Sequence, residues 1–153
     1  MNSTKFHTFI LASLLLVVAA CGPTEQGQGE EEAAPIAETV TLEGSNWQVV
    51  QLTVPGGFVF TPDDSSKYVL NFRSENRLTG TSDCNRLTGT WHQEGTALSF
   101  DPFSSTRSLC PPGSLHNNLV LYLRDVDTHE FRNGRLFMST PTEGVELEFE
   151  SRE

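Results

Sequence analysis

The side chains able to do chemistry in this 153-residue chain gather between Arg77 and Cys110. Cys84 and Cys110 mark that stretch, with Arg86 close after the first and Arg107 close before the second. Two thiols can cross-link, hold a metal or act as a nucleophile. A metal site wants more cysteine or histidine at ligand spacing, and His92, His116 and His129 stand singly. A nucleophilic thiol wants a His and Asn partner, for which the sequence offers no recognisable arrangement. Ser104-Ser105-Thr106 supplies hydroxyls without an Asp-His pair at a telling spacing. No catalytic residue, metal or cofactor is therefore expected. Binding is the chemistry left. A bridge between the cysteines would draw Arg86 and Arg107 together, and two guanidinium groups can hold a carboxylate or phosphate. The plainer expectation is that they pair with Asp83, Asp101 or backbone carbonyls. Asn85 joins them as a binding candidate, although Asn in a turn usually bonds its own backbone.

Compartment decides among the cysteine readings. Residues 1–20 read as a signal peptide: Lys5 and His7 first, an apolar run from Phe9 to Val18, then Ala19-Ala20. The run is too short to span a bilayer comfortably. Val18-Ala19-Ala20-Cys21 resembles the bacterial lipobox, so Cys21 is the expected lipid attachment site, and Gly22 after it favours the outer membrane, facing the periplasm. Three acyl chains hold far more firmly than one. Export leads into an oxidising compartment, and with Cys21 lipidated two cysteines remain. A Cys84–Cys110 disulfide is the expectation; closing a loop of about 25 residues stabilises by roughly 3–4 kcal/mol on a chain-entropy account.

Residues 21–40 follow as a tether. Glu25, Glu30, Glu31, Glu32 and Glu38 crowd a stretch without aromatics, a composition that cannot offset its own ordering entropy. With a formal net charge of -10, the chain is a poor partner for nucleic acid.

From residue 41 to 153 the pattern is that of one domain, α+β and mostly β: an antiparallel meander or partly open, barrel-like sheet with one helix packed across it. Asn46 to Leu52 reads as a first strand. Tyr68, Leu70 and Phe72 alternate with Val69, Asn71 and Arg73 in a second, which shows one apolar face. A pentapeptide occurs twice, Arg77-Leu78-Thr79-Gly80-Thr81 and Arg86-Leu87-Thr88-Gly89-Thr90, around the turn formers Ser82-Asp83-Cys84-Asn85. The repeat reads as a hairpin with Cys84 at its bend. Ala97 to Phe100 is another strand. Beyond Pro111-Pro112-Gly113 the period changes: Leu115, Leu119, Tyr122, Leu123 and Val126 form one helical stripe, with Ser114 as its N-cap. Strands close the chain at His129 to Phe131, Leu136 to Ser139 and Val145 to Glu150, the first two joined by Asn133-Gly134. Trp47 and Trp91 on alternating strands belong in the core.

The order of these features resembles the META domain, the family of the heat-inducible protein HslJ. Trp47-Gln48-Val49-Val50, Tyr68-Val69-Leu70-Asn71-Phe72, Cys84-Asn85-Arg86, Gly89-Thr90-Trp91, Ser105-Thr106-Arg107 with Cys110, and Gly134-Arg135-Leu136-Phe137-Met138 carry the resemblance, over about residues 44–150. Ser108-Leu109 departs from the Met-Ala common before the second Cys, and Pro111-Pro112 from the usual helix-starting run. The resemblance implies a membrane-tethered, non-enzymatic protein of envelope stress or antibiotic tolerance, with a fold similar to small secretion pilot lipoproteins. It implies an envelope protein, peptide or lipid as binding partner. A hydrolase inhibitor acting through Pro111 to Ser114, and a lipid or peptide carrier, are the alternatives.

Overall fold

The computed structural model describes residues 41–153; the expected signal segment, Cys21 and the tether lie outside the described residues. Nine strands form one antiparallel sheet: β1 (Asn46–Val54), β2 (Phe58–Phe60), β3 (Tyr68–Phe72), β4 (Arg77–Ser82), β5 (Asn85–Glu94), β6 (Ala97–Ser105), β7 (Thr128–Arg132), β8 (Arg135–Ser139) and β9 (Glu146–Ser151). Among the described residues one α-helix, α1 (His116–Leu123), interrupts the run between β6 and β7. The last strand returns to the first, Val49 opposite Phe149 and Leu52 opposite Leu147, so the sheet closes into a barrel and the expected meander loses its edges. β2 is an appendage, paired only with the far end of β1.

Period-two alternation fills the barrel. Trp47, Val49 and Leu52 of β1, Tyr68, Leu70 and Phe72 of β3, Leu87 and Trp91 of β5, and Leu147 and Phe149 of β9 are all buried. Both tryptophans lie in the core: Trp91 meets Phe72 edge-on at 5.5 Å, and Trp47 lies 5.7 Å from Phe131. The repeated pentapeptide pairs with itself. Gly80 stands opposite Leu87 and Gly89 opposite Leu78, so each leucine lies over the other copy's glycine. Asn133 and Gly134 take φ of 53° and 77°, the left-handed pair that a tight hairpin needs.

The wall is weakest between β6 and β7, which share a single pair, Ala97 with Thr128. From Ser99 to Ser105 no described strand covers that edge of β6. The chain leaves β6 at Ser105, comes back as α1 and enters β7 beside Ala97, so α1 lies along the gap. Its stripe, Leu115, Leu119 and Leu123 with Val126 beyond its end, is buried in the core.

Three expectations need correcting. The N-cap is Leu115, not Ser114, because the Leu115 N–H is drawn inward onto the hydroxyl of buried Tyr68 at 3.0 Å; Ser114 Oγ still accepts the N–H of His116 at 3.2 Å. β6 runs past Phe100 to Ser105, since a register slip opposite Gly89 and Trp91 absorbs Asp101-Pro102. The alternation of the last strand puts Glu146, Glu148 and Glu150 outward, yet Glu148 is buried, its carboxylate paired with Arg135.

Candidate functional site: the cross-linked turn and the slot beside the helix

The β4–β5 hairpin turns through Asp83 and Cys84, with Ser82 opposite Asn85. Asp83 adopts φ of 54°, which its short polar side chain tolerates. Cys84 and Cys110 are joined, with Cα atoms 5.4 Å apart. The disulfide reading is thus the one the structure shows. Asn85, only 1% exposed, organises the turn. Its Oδ1 accepts from Thr106 Oγ1 at 2.8 Å and from the Ser108 N–H at 2.7 Å, while Nδ2 donates to the Ser108 carbonyl at 3.1 Å and faces the sulfur of Cys110 at 3.2 Å. The N–H and C=O of Ser108 fix which end of the amide is which. Thr106 Oγ1 in turn accepts the Arg86 N–H at 3.0 Å. The polar atoms of this binding candidate are spent on joining the hairpin to the 106–110 loop.

The disulfide does not make one site of Arg86 and Arg107. Asn85 and Leu87 point inward, so Arg86 between them points out with Thr88. Arg107 instead lines a hollow of about 360 Å³ with Ser105, Asn117, Val120, Leu121 and Arg124. Neither Arg86 nor Arg107 makes an ion pair among the described residues, against the expectation of pairing with Asp83 or Asp101; nor does Arg124. Lys67, Arg77, Arg132 and Arg135 each hold a carboxylate. A second hollow, of about 450 Å³, continues along β6, lined by Ser99, Phe100, Asp101, Phe103 and again Arg124. Sequence reasoning missed Arg124. It belongs with Arg107 only because α1 folds back along β6, and no local spacing signals that.

The histidines serve separate structural ends. His92 Nε2 contacts the Asp101 carbonyl at 3.3 Å. His116 Nδ1 meets buried Ser82 Oγ at 3.0 Å, tying α1 to the hairpin. His129 Nδ1 donates to the Thr96 carbonyl at 3.0 Å, leaving Nε2 to accept from Gln93 Nε2 at 3.2 Å. Burial lowers the pKa of both His116 and His129; the Asp83 charge opposes this at His116, and the Thr96 carbonyl opposes it at His129. Below about pH 6.5 an unfolded imidazole takes a proton that the folded site resists. Stability should therefore hold above that pH and fall as pH drops toward the lowered folded values. Urea unfolding at pH 7.5 and 5.5 checks the sign, and His129→Gln should shrink the difference.

An antiparallel barrel crossed by one helix, with its cysteines cross-linked at a hairpin, defines the class of structure. The family is shown by sequence as well: residues 40–153 match the META domain model, and the chain belongs to the META domain family. Among solved structures it is similar to a Burkholderia xenovorans protein determined by NMR, with TM-score 0.60 and 21% identity over 72% of this chain and 83% of that one. It is also similar to a DUF4847 family protein from Bacteroides vulgatus, with TM-score 0.52 and 15% identity over 70% and 92% of the two chains. At these identities the likeness is one of fold. No curated protein matches the chain.

Proposed function

We propose that this META-domain protein is a non-catalytic lipoprotein of the bacterial envelope that acts by binding, in envelope stress or antibiotic tolerance. The observation that carries the binding part is the slot between the uncovered edge of β6 and α1. There Arg107 and Arg124 present charge with no acidic partner among the described residues. Arginines left unpaired in an acidic protein suit recognition of an anion. Anchoring at the periplasmic face of the outer membrane is supported by Val18-Ala19-Ala20-Cys21 and Gly22. The Cys84–Cys110 bond fits an oxidising compartment. Cys21→Ser should move the protein from the membrane to the soluble periplasmic fraction; unchanged membrane retention would remove the anchor from this reading.

A second reading has its own observation. Leu109 is 100% exposed, held out on the loop that Cys110 ties down, as an inhibitor presents a residue to a secreted hydrolase. Unaltered activity of secreted proteases, amidases and glycosidases with equimolar protein would dispose of it.

A further inference from the structure

We infer that the slot between β6 and α1 takes an extended acidic peptide, which adds to β6 as a strand and places a carboxylate between Arg107 and Arg124. This deepens the binding reading above by naming the class of partner. Three features meet there. The edge of β6 from Ser99 to Ser105 has no described strand on it, although β5 covers its other side, so main-chain donors and acceptors are offered along the slot on either side of Pro102, which has no N–H. The two hollows adjoin and share Arg124, and together they follow the whole uncovered edge from Ser99 to Arg107. Charge also varies along the slot: Asp101, in the middle of β6, lines one hollow with Arg124 from the C-terminal end of α1, while the hollow that Arg107 and Arg124 share has no acidic side chain in its lining.

A carboxylate is therefore held best in the hollow of Arg107 and Arg124, which no acid lines, and less well beside Asp101, which places the acidic residue of the occupant toward the Ser105 end of β6. A planar guanidinium accepts a carboxylate with two parallel hydrogen bonds, and none of its donors here is committed to a protein acid. Leu121 is 56% exposed on the helix side, and with Val120 it offers apolar contact to alternate side chains of the added strand. The chemistry is therefore a peptide alternating apolar and acidic residues.

The test is a titration of the oxidised, full-length protein, labelled with 15N, with a blocked hexapeptide alternating valine and glutamate. Saturable amide shifts confined to residues 99–107 and 116–124 are expected. Arg107→Gln with Arg124→Gln should weaken binding at least tenfold while leaving the melting temperature within a few degrees, since both side chains are exposed. N-methylating one of the two alternate sets of peptide amides should abolish binding, a loss that a purely ionic contact would not show. Equal binding of the valine–glutamine peptide would overturn the proposal, as would shifts centred on β2, whose Phe58, Val59 and Phe60 are exposed. Displacement by octanoate with indifference to N-methylation would assign the slot to an amphiphile and overturn strand addition. Shifts of the 99–107 edge on changing Glu30, Glu31 and Glu32 to Gln, without added peptide, would make the chain's own acidic segment the occupant and overturn an external partner. None of these outcomes depends on where the protein is anchored, so a failure here is separate from a failure of Cys21→Ser to release it.

Discussion

Gly80→Ala is expected to destabilise the domain by about 3 kcal/mol or more, at or above the upper end of what overpacking usually costs. A Cβ at position 80 would stand 2.1 Å from the carbonyl oxygen of Val69, a backbone atom of the neighbouring strand. Flexible side chains can turn away from such an approach, but a paired strand cannot. Either β3 and β4 separate around the Leu70–Gly80 pair or the hairpin shifts against its neighbours, and both break the ladder where Tyr68, Leu70 and Phe72 are packed. Gly89 is the same residue in the second copy of the pentapeptide, and a Cβ there would stand 2.6 Å from the Pro102 carbonyl. The repeat thus places its glycines where adjoining strands come closest, and its leucines opposite them. Gly44→Ala is the control. Gly44 has φ of 80° and open space around it, so alanine there meets only the backbone penalty of roughly 1–2 kcal/mol. Urea midpoints of the three proteins decide the matter: if Gly80→Ala is no costlier than Gly44→Ala, the close approach is not what holds glycine there.

Most of the barrel was legible because its strands obey local rules. Val145, Leu147 and Phe149 alternate with Glu146, Glu148 and Glu150, and Asn133-Gly134 dictates its own turn. The helix declared itself by Leu115, Leu119 and Leu123. Closure was not legible, since the pairing of β9 on β1 joins residues about a hundred positions apart and leaves no mark on either strand. β2 was missed for a different reason. Phe58, Val59 and Phe60 are all exposed, so they show no alternation of apolar and polar to read. The strand expected over Ala97 to Phe100 continues to Ser105, because Pro102 lies in a slip within it. At the site, the Cys84–Cys110 bond followed from compartment and parity. The grouping of Arg86 with Arg107 took nearness in a cross-linked loop for a shared direction. The alternation of Asn85, Arg86 and Leu87 already pointed Arg86 outward, whereas the partner that Arg107 has, Arg124, depends on how α1 folds back.

Removing the cross-link, as Cys84→Ser with Cys110→Ser or by reductant, should cost about 3.5 kcal/mol for a closed loop of 26 residues. For a domain of this size that is a fall in melting temperature on the order of 10–20 °C. The loss should not be independent of Asn85. The disulfide brings residues 106–110 beside the hairpin, and Asn85 then satisfies Thr106 and Ser108 across the junction. Asn85→Ala leaves the Ser108 N–H and C=O without those partners, a cost of about 1–3 kcal/mol while the loop stays closed. Once the loop is free to leave the hairpin, those groups reach water and the same substitution should cost much less. A double-mutant cycle reads this as coupling of 1 kcal/mol or more between the cross-link and Asn85, on the order of what is measured for groups in one network. Additive losses would mean that the 106–110 loop stays docked without its covalent tie. Cys84–Cys110 would then be dispensable for the shape of the turn, and Asn85 alone would hold Arg107 at the mouth of the slot.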